Sequence, residues 1–288
     1  MQPGVNIQQV QQFATWLADI GDGKVGGPND GYANVQIPSE MLLPSTGENI
    51  STIVDTIFPL FKERGCDEEY MKSRAILAPT LDVVNAINEY MSDLHIAESK
   101  TYLSCDMVCK SDSSNGVLSD MHTLEFLNGL KASGIPNHAL TLKVGSPIML
   151  LRNIDHALGL CNGTRLMITR LSNHVVEAKI VTWNNAGEIV LIPRMSMTPT
   201  DIRLPFKFQR RKFPIMLSYA MTINKSQGQT FSHVGLLLRK PVFVHGQLYV
   251  AASRISNPKG LKILIANEGA DSNNHTTNVV YHEVFNNL

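Results

Sequence analysis

These 288 residues carry no excess charge of either sign: 25 Lys and Arg balance 25 Asp and Glu. A protein that coats nucleic acid non-specifically is usually basic, so neutrality argues against that role while leaving room for a local groove that grips one strand. Cysteine is scarce. The four stand at 66, 105, 109 and 161, and only Cys105 and Cys109 are close, with no second pair behind them. Structural zinc needs four clustered ligands, so no metal site is expected, and free thiols in a reducing compartment are the simpler reading. No apolar run approaches the ~20 residues that span a bilayer, and the N-terminus shows no basic-then-apolar signal. An intracellular, soluble chain without a membrane partner is expected. The nine histidines form no H-E-x-x-H, and no serine sits in G-x-S-x-G.

A phosphate cradle is missing too. ATP-driven motors carry G-x-x-x-x-G-K-[ST]. The only Gly-Lys pair is Gly23-Lys24; the leading glycine would fall on Ala18 and the Ser/Thr on Val25. A metal-binding acid pair should follow a hydrophobic strand, yet Asp67-Glu68 follows Lys62-Glu63-Arg64-Gly65-Cys66.

What is present is a globular composition, 43% apolar and 17% charged, enough for a substantial core. Ile7, Val10, Phe13, Leu17 and Ile20 recur at helical spacing and stop at Gly21. A second amphipathic helix is expected over residues 50–61. Arg74–Ala78 reads as a buried strand, turned by Pro79-Thr80 into a helix through Val84, Ile87, Met91 and Leu94, the unit of a parallel α/β sheet. Residues 111–120 read as a surface loop. From Thr141 to about Lys212, short apolar runs alternate with turn dipeptides such as Asn162-Gly163, which predicts a small β-barrel or sandwich. The α/β pattern then returns: strand 215–220, strand 234–238, a helix over about 244–254 and strand 261–265. Residues 268–278 read as polar and loose.

Two runs carry the chemistry. Residues 219–230 read Tyr-Ala-Met-Thr-Ile-Asn-Lys-Ser-Gln-Gly-Gln-Thr, a strand breaking into a polar loop and helix start. Such a Thr-capped corner offers a hydroxyl and backbone N–H groups to an anion. Residues 246–254 read Gly-Gln-Leu-Tyr-Val-Ala-Ala-Ser-Arg, a helix ending in one arginine, the planar cation that phosphoryl-transfer sites set against developing charge. In this order, with Phe13–Lys24, Ile76–Thr80, Leu142–Asn153, Leu160–Leu166 and Leu204–Pro214, they resemble Pif/RecD-like superfamily 1B DNA helicases, particularly the eukaryotic Helitron-like branch. The resemblance covers nearly the whole chain and implies the C-terminal half of such a helicase: an α/β, RecA-like (P-loop NTPase-type) second motor domain with an inserted small all-β barrel. The implied bounds are 1–141 and 213–288 for the two parts of the motor domain and 142–212 for the barrel.

The resemblance also implies roles. Arg254 would reach the γ-phosphate of ATP held by another RecA-like domain, with Gly228, Gln229, Gln247 and Tyr249 at the nucleotide. Thr80, Thr222, Asn224, Lys225, Ser226 and Gln227 would lie along single-stranded DNA. Lys207, Arg210 and Arg211, interleaved with Phe206, Phe208 and Phe213, would extend that groove. Each residue has a plainer alternative: a helix cap for Thr80 and Thr222, dipole compensation for Arg254, a solvated face for the basic run. Ala252 stands where the family usually has a larger residue, Leu81 where a polar one is common, and residues 1–12 lack an arginine that the family carries upstream of Phe13. ATP and Mg²⁺ would be used only in a complete 5′-to-3′ enzyme, and this chain alone is expected to hold neither. Its expected partners are single-stranded DNA and an N-terminal RecA-like domain, in the nucleus rather than the mitochondrion. The rival readings are a non-catalytic DNA-binding or helicase-docking module and a truncated, mobile-element-derived fragment.

Overall fold

The computed structural model describes residues 7–26, 31–45, 47–109, 123–130, 132, 134–182, 185–199, 206–255, 257–266 and 274–284. The chain divides into two compact units. The larger takes residues up to Arg64, Glu69–Leu94 and everything from Tyr219 on; the smaller takes Gly65–Glu68 and His95–Ser218. No helix among the described residues is long and apolar enough to cross a membrane.

The larger unit opens with α1 (Ile7–Gly21) and β1 (Tyr32–Gln36). Then come α2 (Asn49–Ile57), the short α3 (Phe61–Arg64) and α4 (Glu68–Lys72), β2 (Arg74–Ala78) and α5 (Leu81–Leu94). The helix expected over 50–61 is therefore two helices. Pro59 lies between them and cannot donate to a continuing helical ladder. After the excursion into the smaller unit come β13 (Ala220–Thr222), β14 (His233–Leu238), α7 (Gln247–Ala252), β15 (Leu261–Ile265) and β16 (His275–Val279).

Strands β13, β2, β14 and β15 form, in that order, an all-parallel sheet. Helices cover it, so β2 and β14 read as nearly unbroken buried runs. Helix α2 lies directly on β14 because residue 235 is glycine: a Cβ there would come within 2.7–3.0 Å of the Ile57 and Ile53 side chains. Helix α5 turns Val83, Val84, Ile87 and Met91 inward. Strand β16 pairs antiparallel with β1, which corrects the expectation of a loose segment over its residues. The rest of that segment, 268–273, lies outside the described residues, as does the expected loop 111–120. The parallel α/β sheet expected from the sequence is present.

The smaller unit contains β3 (Ser99–Leu103), β4 (Cys105–Val108), α6 (Leu124–Gly129), β5 (Ala139–Lys143), β6 (Pro147–Leu150), β7 (Arg165–Leu171), β8 (Val175–Ile180), β9 (Ile189–Pro193), β10 (Met195–Met197), β11 (Phe208–Lys212) and β12 (Ile215–Leu217). It reaches beyond the expected 142–212, taking in Gly65–Glu68, residues 95–141 and residues 213–218, and α6 lies in the part before residue 142. Its main sheet, β12-β6-β7-β8-β9, is antiparallel, with β12 and β9 at its edges among the described residues, so the barrel expected there is not confirmed. The core of that sheet is Ile148, Leu150, Leu166, Ile168, Val176 and Ile180, with Tyr102 and Phe213 packed edge to face at 5.0 Å. The single strand expected over 215–220 is two strands. Residues 215–217 pair with β6 in the smaller unit, residues 220–222 pair with β2 in the larger, and the boundary falls between Ser218 and Tyr219.

Candidate functional site

Strands β13 and β2 end side by side. Thr222 is in register with Ala78, so Pro79-Thr80 and Ile223-Asn224 emerge from the same carboxyl edge, the edge at which open parallel sheets bind ligands. Strand β13 is an edge strand, held on its outer side by an amide. Asn88 Nδ2 donates to the Ala220 carbonyl at 3.0 Å, and the Ala220 N–H donates to Asn88 Oδ1 at 2.8 Å. The sequence reading missed Asn88. Its signal was a polar residue four places after Val84, on the inward stripe of α5.

The corner after Thr222 is not the expected capped helix. It is a single 3₁₀ turn, Ile223–Ser226, and the Thr222 side chain caps nothing in it. Gln227 is extended and Gly228 takes φ +78°, which turns the chain away before a helix can propagate. Ser226 is fully buried and its Oγ donates to the Ile223 carbonyl at 2.7 Å, so its expected DNA contact is corrected to a bond within the turn. Asn224, Gln227 and Gly228 are exposed, and Thr222 and Lys225 are half-buried. The Gln229 side chain faces inward and donates to the Lys225 carbonyl at 3.2 Å. At the neighbouring strand end the Thr80 hydroxyl donates to the Asp82 carboxylate. That bond is the main cause that holds the Asp82 carboxyl below its ordinary range, with a smaller pull from Lys240.

Helix α7 runs from the carboxyl edge of β14 back toward its start, where the Phe231 N–H donates to the Arg254 carbonyl at 2.8 Å. Arg254 is half-buried. Its Nε donates to the Val250 carbonyl at 2.9 Å, Nη2 to Ser253 Oγ at 2.7 Å and Nη1 to the Gln229 carbonyl at 3.4 Å. All three acceptors are neutral. Among the described residues no carboxylate lies within ion-pair distance, so the guanidinium compensates a helix end and still lacks an anion. The Gln247 side chain is buried and its Oε1 accepts from the Phe243 N–H at 3.1 Å, so it organises a loop instead of facing outward. Tyr249 is exposed and lies against Gly21, where a Cβ would come within 3.0 Å of its ring.

The basic run of the smaller unit is divided by strand alternation. Lys207 and Arg211 are exposed, while Arg210 and Lys212 point inward. Arg210 is fully buried and forks onto Asp106 (Nη2–Oδ2 2.7 Å), with further bonds to the carbonyls of Leu127, Leu130 and Pro136. Its expected DNA contact is corrected to a structural ion pair. Phe208 and Phe213 are core residues, which removes them as base-stacking platforms. Lys212 Nζ donates to the carbonyls of Asn137 and His138, and burial, aided by the Arg210 charge, pushes its pKa down to about 7.

The family model for the 2B domain of the DNA helicase Pif1 matches residues 125–171, inside the smaller unit. The chain is 31% identical over 143 residues to the human ATP-dependent DNA helicase PIF1, covering 49% of this chain and 21% of that protein. The crystal structure of Pif1 helicase from Candida albicans superposes with a TM-score of 0.57 at 20% identity, over 96% of this chain and 57% of that one. The matched family model, relatives and solved structures are all of Pif1-type DNA helicases, which this chain resembles over part of its sequence and in its fold. A Pif1 structure from Bacteroides in complex with ADP-AlF3 and single-stranded DNA shares the fold at a TM-score of 0.50 and 16% identity, over 99% of this chain and 63% of that one. The chain spans about a fifth of the human Pif1 relative and somewhat more than half of these two solved Pif1 chains.

Proposed function

We propose that this chain supplies the second motor half of an ATP-dependent DNA helicase that moves 5′ to 3′ along single-stranded DNA. A first RecA-like half brings the phosphate cradle and the Mg²⁺ acids, and Arg254 reaches across to the γ-phosphate. The observation that carries the reading is the state of Arg254: a fixed guanidinium with no carboxylate partner among the described residues, bonded to the segment that begins at Thr222. An arginine anchored by neutral carbonyls keeps its charge available for an anion. Thr222, Asn224 and Gln227, at the carboxyl edge of the sheet, hold the DNA backbone, and Gly228 links that grip to Arg254. Opening and closing of the cleft between the halves moves the strand. The relative's own description as an ATP-dependent DNA helicase supports the same reading.

ATP hydrolysis tests it. The 288-residue chain alone is expected to show no turnover. Joined to a RecA-like half that carries the cradle, it is expected to hydrolyse ATP when single-stranded DNA is added. Arg254→Ala then lowers turnover on the order of a thousandfold or more. Turnover by the isolated chain that depends on Arg254 refutes the proposal.

A further inference from the structure

The loop that leaves β14 carries side chains that none of the roles above uses. Arg239 and Lys240 are exposed, and among the described residues neither makes a side-chain hydrogen bond or an ion pair. Three residues on, Phe243 is 57% exposed. A large aromatic held in water on a mobile loop would mean little, but this loop is fixed from three sides. Val242 is buried beneath it. The Phe243 N–H donates to Gln247 Oε1 at 3.1 Å and the Gly246 N–H to the Val279 carbonyl at 2.9 Å. His245 stacks on Tyr281 with ring centroids 5.9 Å apart, and its Nδ1 accepts from the Tyr281 N–H at 3.0 Å. The buried amide of Gln247 therefore serves to hold out an aromatic ring.

The loop also stands in the right row. Strand β14 is in register with β2, Leu236 opposite Leu77, and three more residues on each strand bring Arg239 level with Thr80. Lys240 lies near enough to Asp82 to help hold its carboxyl ionised. The carboxyl edge of the sheet thus runs from Thr222 past Thr80 to a basic pair and an outward phenylalanine. Cations that follow a phosphate backbone beside an aromatic face are the parts of a single-strand grip, and every base offers a π-face to such a ring.

We propose that Arg239, Lys240 and Phe243 form a stacking clamp for single-stranded DNA, with one base on the Phe243 ring and the neighbouring phosphates on the two cations. The clamp is indifferent to sequence. It rests on the reading of this chain as the DNA-gripping half of a motor, and it adds residues to that grip.

Fluorescence anisotropy of the full 288-residue chain with a labelled oligothymidylate, over a salt series, tests the clamp. Phe243→Ala is expected to weaken binding about tenfold, the loss for one stacked base, while Phe243→Tyr, which keeps the ring, binds as the parent does. Replacing Arg239 and Lys240 by Ala flattens the dependence of log affinity on log salt by about 0.7 per cation removed. Since all three side chains are exposed, thermal unfolding of each variant should match the parent. If Thr222→Ala weakens binding but the loop variants do not, the clamp is wrong and the motor reading stands. If the chain binds no single strand even at low salt, both fall. If Phe243→Ala leaves DNA affinity intact but abolishes self-association on gel filtration, the loop is a protein interface and the clamp is again wrong.

Discussion

Arg254 Nη1 donates to the main-chain carbonyl of Gln229 at 3.4 Å, and Gln229 lies seven residues beyond Thr222. The six residues between them are one 3₁₀ turn, an extended Gln227 and a left-handed Gly228. A tie this short between a guanidinium and a strand end leaves little slack. Whatever pulls Arg254 toward an anion also pulls on the backbone that leaves Thr222. In the proposed motor this is how the nucleotide state reaches the DNA grip.

Replacement of Arg254 by Met should lower the stability of the chain to urea by about 1–2 kcal/mol, because three hydrogen bonds from a charged donor disappear at a half-exposed site. Arg254→Lys should recover only a fraction of this, since an ammonium cannot fork onto Val250, Ser253 and Gln229 together. Equal stability of all three proteins would show that the guanidinium is not held as described.

Asn88 gives a sharper test of the sheet edge. Its amide both donates to and accepts from Ala220, and each half is needed because no strand among the described residues pairs with β13 on that side. Asn88→Ala should cost about 1–3 kcal/mol, the penalty for buried backbone groups left without partners. Asn88→Asp should cost at least as much, because a carboxylate cannot donate to the Ala220 carbonyl and would bury a charge. Hydrogen exchange at the Ala220 amide should quicken in both variants before global unfolding.

The parallel sheet was legible in the sequence because its strands are buried on both faces. Arg74–Ala78, Val234–Leu238 and Leu261–Ile265 are short apolar runs between turn signals, and the short strands after Thr141 stood out likewise. Strands β3 and β11 were not read because Ser-Lys-Thr-Tyr-Leu and Phe-Gln-Arg-Arg-Lys put polar side chains where the pattern expects apolar ones; in β11 two of those cations are buried by partners that lie more than seventy residues away in sequence. The same cause misled the site reading. A basic run interleaved with phenylalanine looks the same whether its cations face water or bury themselves on carbonyls and a carboxylate. Only tertiary contacts separate Arg211, exposed, from Arg210, enclosed. Gly228 takes the positive φ expected of it, whereas the role given to Arg254 rests on the family resemblance.

The Arg210–Asp106 pair is fully enclosed. Removing one partner strands the other charge, so Asp106→Ala should destabilise the protein by about 3–5 kcal/mol. A double change of Asp106 to Leu and Arg210 to Met should restore much of that loss. Neither change should alter the salt dependence of single-strand binding by the folded protein, because Arg210 touches no solvent. A flatter salt dependence in folded Arg210→Met would restore Arg210 to the DNA groove.

Lys212 makes stability depend on pH in an unusual direction. Burial lowers its folded pKa to about 7, whereas an unfolded lysine titrates near 10.4. Above that upper value the amine is neutral in both states and contributes nothing. Between the two the unfolded chain binds the proton and the folded chain does not, so stability falls as pH falls, by up to about 1.4 kcal/mol per pH unit. Below about 7 both states are protonated and the penalty stays constant. Other lysines and tyrosines titrate in the same window, so the measurement is a difference. Urea unfolding of the parent and of Lys212→Met from neutral pH to pH about 10 should show the parent gaining stability with pH relative to the variant. Parallel curves would mean that the Asn137 and His138 carbonyls hold the ammonium charged and that its pKa is close to that of an ordinary lysine.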